Sequence, residues 1–226
     1  KKRRRNLIVY NPQNKIDMKK MMFNGAYGLT DAVLHGIKTQ TRRFVSKETY
    51  GDLTIEQNPL RLDEHRYGVN SHSIKSNFPK YKVGEVIAVT QSYGEIAAEM
   101  MIGSYDYDLY EKFRQNAMGM ELAGNLNKMF VRADLMPHHI QITGIRCERL
   151  QDISDEDCIK EGIYRLDSAN GSGGIAYSFV GASDKKHIGL YDTPCEAFSA
   201  LIDKVSGKGT WERNPFVRVY EFELIN

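Results

Sequence analysis

The chain is poor in cysteine, proline and tryptophan, and it has no long apolar run. Each scarcity removes a class of protein. Its three cysteines, Cys147, Cys158 and Cys195, are scattered and odd in number, so they make no disulfide framework. No Cys-x-x-Cys pair exists to hold zinc. A reducing cytoplasm is therefore the expected compartment. No stretch approaches the roughly 20 apolar residues that a membrane-spanning helix needs. Lys1 to Arg5 is basic, but only Leu7 to Tyr10 follows as an apolar run, so no signal peptide is expected. The basic run reads as a solvated end.

Charge of one sign is also lacking. The net charge of +2 neither demands nor excludes nucleic acid. A protein that binds long duplexes nonspecifically is usually more basic. What remains is an ordinary globular composition, 41% hydrophobic and 27% charged. Its 226 residues suit a single domain over 1–226 with sizeable insertions.

Along the chain, Asn6 to Tyr10 reads as a short strand and Met21 to His35 as a helix, with Gly36 as its C′ glycine. Thr39 to Val45 reads as a strand. Ser46 to Lys80 is polar and broken by Asn58-Pro59 and Phe78-Pro79, which marks a loop-rich insertion over about 46–80. Val83 to Ser92 reads as a buried strand. Residues 94–136 form a second insertion, rich in tyrosine, with a helix expected over Leu109 to Met120.

His138 to Leu150 reads as a strand, and a helix starts at Ser154 (N-cap) with Asp157 three residues on and Gly162 as its stop. Leu166 to Lys186 holds Asn170-Gly171-Ser172-Gly173-Gly174 and is expected to be a flexible loop. It lacks the Lys-Ser/Thr ending of a phosphate-binding loop. Thr193-Pro194-Cys195-Glu196 starts another helix: N-cap, proline at N1, Glu at N3. Phe198, Leu201, Ile202 and Val205 mark its apolar face, and Gly207 ends it. Phe216 to Ile225 is the last strand. Strands with short helices between them, and no βαβ rhythm, predict an α+β fold around a small mixed or antiparallel β-barrel with flanking helices.

One stretch concentrates polar chemistry. Gly36-Ile37-Lys38-Thr39-Gln40-Thr41-Arg42-Arg43 places three cations and two hydroxyls directly after a helix stop. A solvated strand edge would also tolerate Lys and Arg. Thr beside them, after a glycine turn, points instead to a site for a polar ligand. His138-His139 is better read as the start of a strand than as a metal site, because adjacent strand residues diverge. Trp211, ahead of Asn214-Pro215, is read as a core plug rather than a platform for a base.

The pattern Gly36-x-Lys38-x-x-Thr41-x-Arg43 resembles the signature of the ASCH domain, a PUA-like β-barrel. The usual signature has Glu where this chain has Thr41. A bacterial branch of that family with Thr at this position removes the acetyl group from N4-acetylcytidine, using a Lys and a Thr of the motif and a Glu on a later helix. The resemblance implies catalytic roles for Lys38, Thr41 and Glu161, and ligand contacts from Gly36, Thr39, Arg42 and Arg43. It implies RNA or a modified nucleoside as partner, and nothing in the residues requires a metal or cofactor. The layout, with its Gly207-Lys208-Gly209-Thr210-Trp211 ending, also resembles larger ASCH-type proteins of bacterial prophages, for which no activity follows. A noncatalytic RNA-binding module or a phage-related interaction protein is the alternative.

Amide hydrolysis needs a nucleophile, a base and a donor for the oxyanion. Thr41 is a weak nucleophile alone. Lys38 becomes a base if burial or a neighbouring cation lowers its pKa, and Arg42 and Arg43 are such neighbours. Arg43 is a candidate donor. Glu161 either orients Lys38, shuttles a proton to the leaving amine, or activates water directly. One geometric condition follows. In a regular strand Lys38 and Thr41 point to opposite faces, so Lys38 must sit in the turn after Gly36. A strand beginning at Ile37 would break the site.

Overall fold

The computed structural model describes residues 18–45, 80–102, 123–167, 174–181 and 186–225, and its architecture is α+β. The strands expected at Asn6 to Tyr10, the insertion over 46–79, the helix over Leu109 to Met120 and the centre of the glycine-rich loop lie outside these residues. Two sheets are present. The larger has the order β1 (Lys20–Met21), β3 (Val86–Val89), β4 (His139–Arg149), β8 (Phe216–Leu224), β2 (Gln40–Phe44). The smaller joins β5 (Tyr164–Asp167), β6 (Ile175–Val180) and β7 (His187–Tyr191), all antiparallel. Only β1 and β3 run parallel in the larger sheet. Among the described residues neither sheet closes into a barrel.

The helices are α1 (Leu29–Leu34), α2 (Tyr93–Ile102), α3 (Ala123–Leu126), α4 (Asp155–Lys160), α5 (Pro194–Ser206) and α6 (Thr210–Arg213). Their caps follow the sequence logic. Ser154 Oγ accepts from the Asp157 N–H and Thr193 Oγ1 from the Glu196 N–H, each satisfying an orphan donor of a first turn. Trp211 packs against the main core, edge-on to Phe198 at 6.2 Å between ring centres, which fits a plug.

Two expectations need correction. Met21 to His35 is not one helix: Met21 ends β1, Gly25–Tyr27 forms a single 3-10 turn, and α1 starts only at Leu29. The cause is Asn24, whose side chain caps the 3-10 turn, and Gly28, whose φ of 64° redirects the chain. The Leu166 to Lys186 region is not simply a loop either, because its ends form β5 and β6. Tyr164–Asp167 alternates half-buried with exposed residues, and it pairs in register with Ile175–Ser178.

The centre of the larger sheet positions the site. Residues directly opposite one another share a face, so Gln40 lies beside Glu221, and Arg42 beside Val219 and then Arg146. Phe198 of α5 and Asp157 of α4 cover this face. The opposite face carries Tyr220 and Phe222, packed against Tyr81 and Phe23. A bulge between Ile142 and Gly144 shifts the register of β4. A Cβ at Gly144 would stand 2.6 Å from the Glu221 carboxylate, so that side chain would have to shift to admit one.

Ile142 is almost fully enclosed in the main core. Ile142→Ala is expected to cost about 2–5 kcal/mol, and Thr193→Ala about 1 kcal/mol. Urea unfolding should give both values; an unchanged midpoint for Ile142→Ala would contradict the packing described.

Candidate functional site

Lys38 lies in the turn between α1 and β2, which begins at Gln40, so the geometric condition on Lys38 is met. Gly36 makes that turn with a φ of 71°. The Ile37 and Lys38 N–H groups both donate to the Ala32 carbonyl, and the Thr39 N–H donates to the Lys160 carbonyl. This last bond ties the start of β2 to the end of α4. Thr39 and Gly36 thus shape the turn, and neither lines the cavity described below.

Glu161 is the C-cap of α4, followed by Gly162 at a φ of 101°. Lys38 Nζ donates to the Glu161 backbone carbonyl at 2.8 Å and to its Oε2 at 2.5 Å. One ammonium therefore satisfies an orphan carbonyl of the helix end and the carboxylate beside it. Arg42 Nη1 donates to the other carboxylate oxygen, Oε1, at 2.9 Å. All three side chains are buried.

The pair belongs to a larger network. Arg42 also binds Glu148 at 2.6 Å and Asp157 at 3.2 Å. Arg146 holds Glu148, Asp157 and Glu221 together. The Gln40 amide donates to Asp157 at 3.1 Å and reaches Glu221 at 3.4 Å. Lys38, Arg42 and Arg146 are thus matched by Glu148, Asp157, Glu161 and Glu221. The cations expected to face a ligand are largely spent on internal carboxylates. Arg43 is spent differently: it donates to the Met22 carbonyl at 2.5 Å and lies over the Phe23 ring.

Burial pushes the Lys38 ammonium below its ordinary pKa of 10.5, against the raising effect of Glu161; Arg43 and Arg42 lower it further. Burial also opposes charge on Arg42, but Glu161 and Glu148 outweigh it and hold the guanidinium protonated. For Asp157, burial disfavours the carboxylate, yet Arg146, the Gln40 amide and Arg42 prevail and keep its pKa below the ordinary 3.8.

A cavity of about 290 Å³ opens beside this pair. Lys38, Thr41, Arg42, Arg43 and Glu161 line it on one side; Phe198, Leu201, Ile202 and Val205 of α5 form an apolar wall, and Phe23 and Leu29 complete it. The Thr41 side chain makes no hydrogen bond among the described residues. Lys38, Thr41 and Glu161, the three groups given reactive roles from sequence, therefore share one cavity. Sequence reasoning missed the carboxylate partners Glu148, Asp157 and Glu221 and the α5 wall. A partial signal existed in the polar i, i+2 pairs Gln40/Arg42 and Arg146/Glu148, which put two polar groups on one face of each strand. No cluster of three or more His, Cys, Asp or Glu suited to a metal occurs among the described residues. His138 sits just before β4, 3.4 Å from Glu99.

Compared with protein-family models, curated proteins and solved structures, the chain matches none. No helix among the described residues is long and apolar enough to cross a membrane.

Glu161→Gln removes the charge that Lys38 and Arg42 share while keeping the shape. Breaking one partner of a buried pair costs about 3–5 kcal/mol, and urea unfolding should report a loss of that order. Asp157 contributes stability above pH 3.8 that is lost as pH falls through its lowered folded-state pKa. Wild-type protein should therefore lose stability in acid more steeply than Asp157→Asn; parallel acid-unfolding curves would contradict the ion pairing.

Proposed function

We propose that this protein is a hydrolase acting on a small N-acylated heterocycle of the N4-acylcytidine kind, with an ASCH-type, PUA-like site. What carries the reading is that the Lys38–Glu161 pair and the Thr41 side chain line the same cavity. The cavity lies at the low end of the roughly 300–1,000 Å³ typical of small-molecule sites. Its apolar wall suits a flat ring, and its polar side suits an acylamide. Because Lys38 and Arg42 are paired with carboxylates, the site favours a neutral small ligand over a polyanion such as RNA.

Thr41 Oγ1 attacks the acyl carbon, and its proton passes to the neutral amine of Lys38. Burial supports this role by lowering the lysine pKa. Glu161 fixes the Lys38 rotamer through two hydrogen bonds. The C–N bond then breaks as the proton moves from Lys38 to the leaving amine. Water then attacks the threonyl ester as Lys38 takes its proton, and Lys38 returns that proton to Thr41 Oγ1 as the acyl C–O bond breaks, releasing the acid, the free Thr41 hydroxyl and the neutral Lys38 amine.

Release of cytidine from N4-acetylcytidine tests the reading. Thr41→Ala and Lys38→Met should each lower kcat by at least about 10²-fold, the scale of a lost nucleophile or general base. The rate of wild-type enzyme should rise with pH as Lys38 loses its proton, levelling off below pH 10.5. No turnover by folded wild-type protein, or full activity in Thr41→Ala, would reject the reaction.

A further inference from the structure

We infer that the main chain of Arg42, not its side chain, reads the ligand. The inference rests on the hydrolase reading for the identity of the ring, but it arises from a different observation. Among the described residues, β2 is the outermost strand of its sheet and pairs only with β8. The phase of that ladder is fixed at both ends: the Phe222 N–H donates to the Thr39 carbonyl, and the Val45 N–H to the Phe216 carbonyl. Hydrogen-bonded and non-bonded positions alternate in an antiparallel pair. Thr41 and Arg43 therefore bond to β8, while the N–H and C=O of Arg42 both point away from it.

The cavity lies on that outward side. Thr41 and Arg43 belong to one face of the strand and Arg42 to the other, yet all three line the same space. Only an opening along the free edge can be lined from both faces. Phe198 flanks it on the Arg42 face and Phe23 on the Arg43 face, each beneath one of those guanidinium groups at 5.9 Å. Among the described residues, the Arg42 N–H and C=O have no hydrogen-bond partner. Enclosed backbone groups are rarely left unpaired. Adjacent donor and acceptor atoms at the edge of a slot bounded by two phenylalanines match one ligand chemistry: a flat heterocycle bearing a ring-nitrogen acceptor next to an amine or amide N–H. The Arg42 N–H donates to the ring nitrogen and the Arg42 C=O accepts from the exocyclic N–H. Such a ring, held beside Thr41, presents a group carried on that exocyclic nitrogen to the Thr41 hydroxyl.

Amide hydrogen exchange on the ¹⁵N-labelled wild-type chain tests this without turnover, using unacylated cytidine as the probe. Without ligand, the Arg42 N–H should exchange at least about tenfold faster than those of Thr41 and Arg43, which the ladder protects. Saturating cytidine should slow it at least about tenfold. N4,N4-dimethylcytidine keeps the ring but lacks the N–H, and should bind at least about tenfold more weakly, the scale of one unmade buried hydrogen bond. An Arg42 N–H already protected in the free protein, no binding of cytidine at millimolar concentration, or equal affinity for both probes would overturn the assignment. Protection by cytidine without hydrolysis of N4-acetylcytidine would reject the hydrolase and keep this recognition mode. Hydrolysis with Arg42 unaffected by cytidine would do the reverse.

Discussion

A single carboxylate, that of Glu161, organises the centre of this protein. It is buried, it receives Lys38 on one oxygen and Arg42 on the other, and it stands at the C-terminal end of a helix, where negative charge is unfavourable. None of the three charged groups would be stable there alone, since an isolated buried ion costs several kcal/mol. Together they fix three things at once: where α4 stops, where β2 starts, and which way the turn between α1 and β2 faces. The Thr39 N–H bonded to the Lys160 carbonyl draws the same two elements together through the backbone. The geometry of the Lys38–Glu161–Arg42 cluster is thus set by charge compensation more than by packing.

That compensation also determines what the cavity is not. From sequence, Lys38, Arg42 and Arg43 look like a surface for anions. In the fold, Arg42 is shared among Glu148, Asp157 and Glu161, and Arg146 completes the opposing charges. The result is a slot whose floor is rich in charge yet nearly balanced, facing a wall of Phe198, Leu201 and Ile202. Such a floor holds its hydrogen-bonding groups in fixed positions through paired charges.

How much of this was legible in the sequence depended on the range of the interaction. Helix caps are local, and Ser154, Thr193, Gly162 and Gly207 could be read correctly. The placement of Lys38 in a turn followed from Gly36 and the two-residue period of strands. The segment Met21 to His35 misled, because its apolar residues satisfy a helical spacing while Asn24 and Gly28 impose turns within it. That Glu148 and Asp157 are partners of Arg42 could not be assigned from sequence. Glu148 and Asp157 stand more than 100 residues away in the chain, and only the pairing of β2, β8 and β4 brings them close. The Lys38–Glu161 contact spans 123 residues and was reached only through a resemblance to a motif.

The position of β2 has one more consequence. An outermost strand normally offers its bare peptide groups to any passing chain, and so invites intermolecular sheet growth. Here the strand is only Gln40–Phe44, and side chains of α5 stand on one flank and those of Met22 to Asn24 on the other. Those flanks narrow the approach to the strand's edge among the described residues. The side chains that enclose the cavity therefore also shield the strand edge from self-templated pairing.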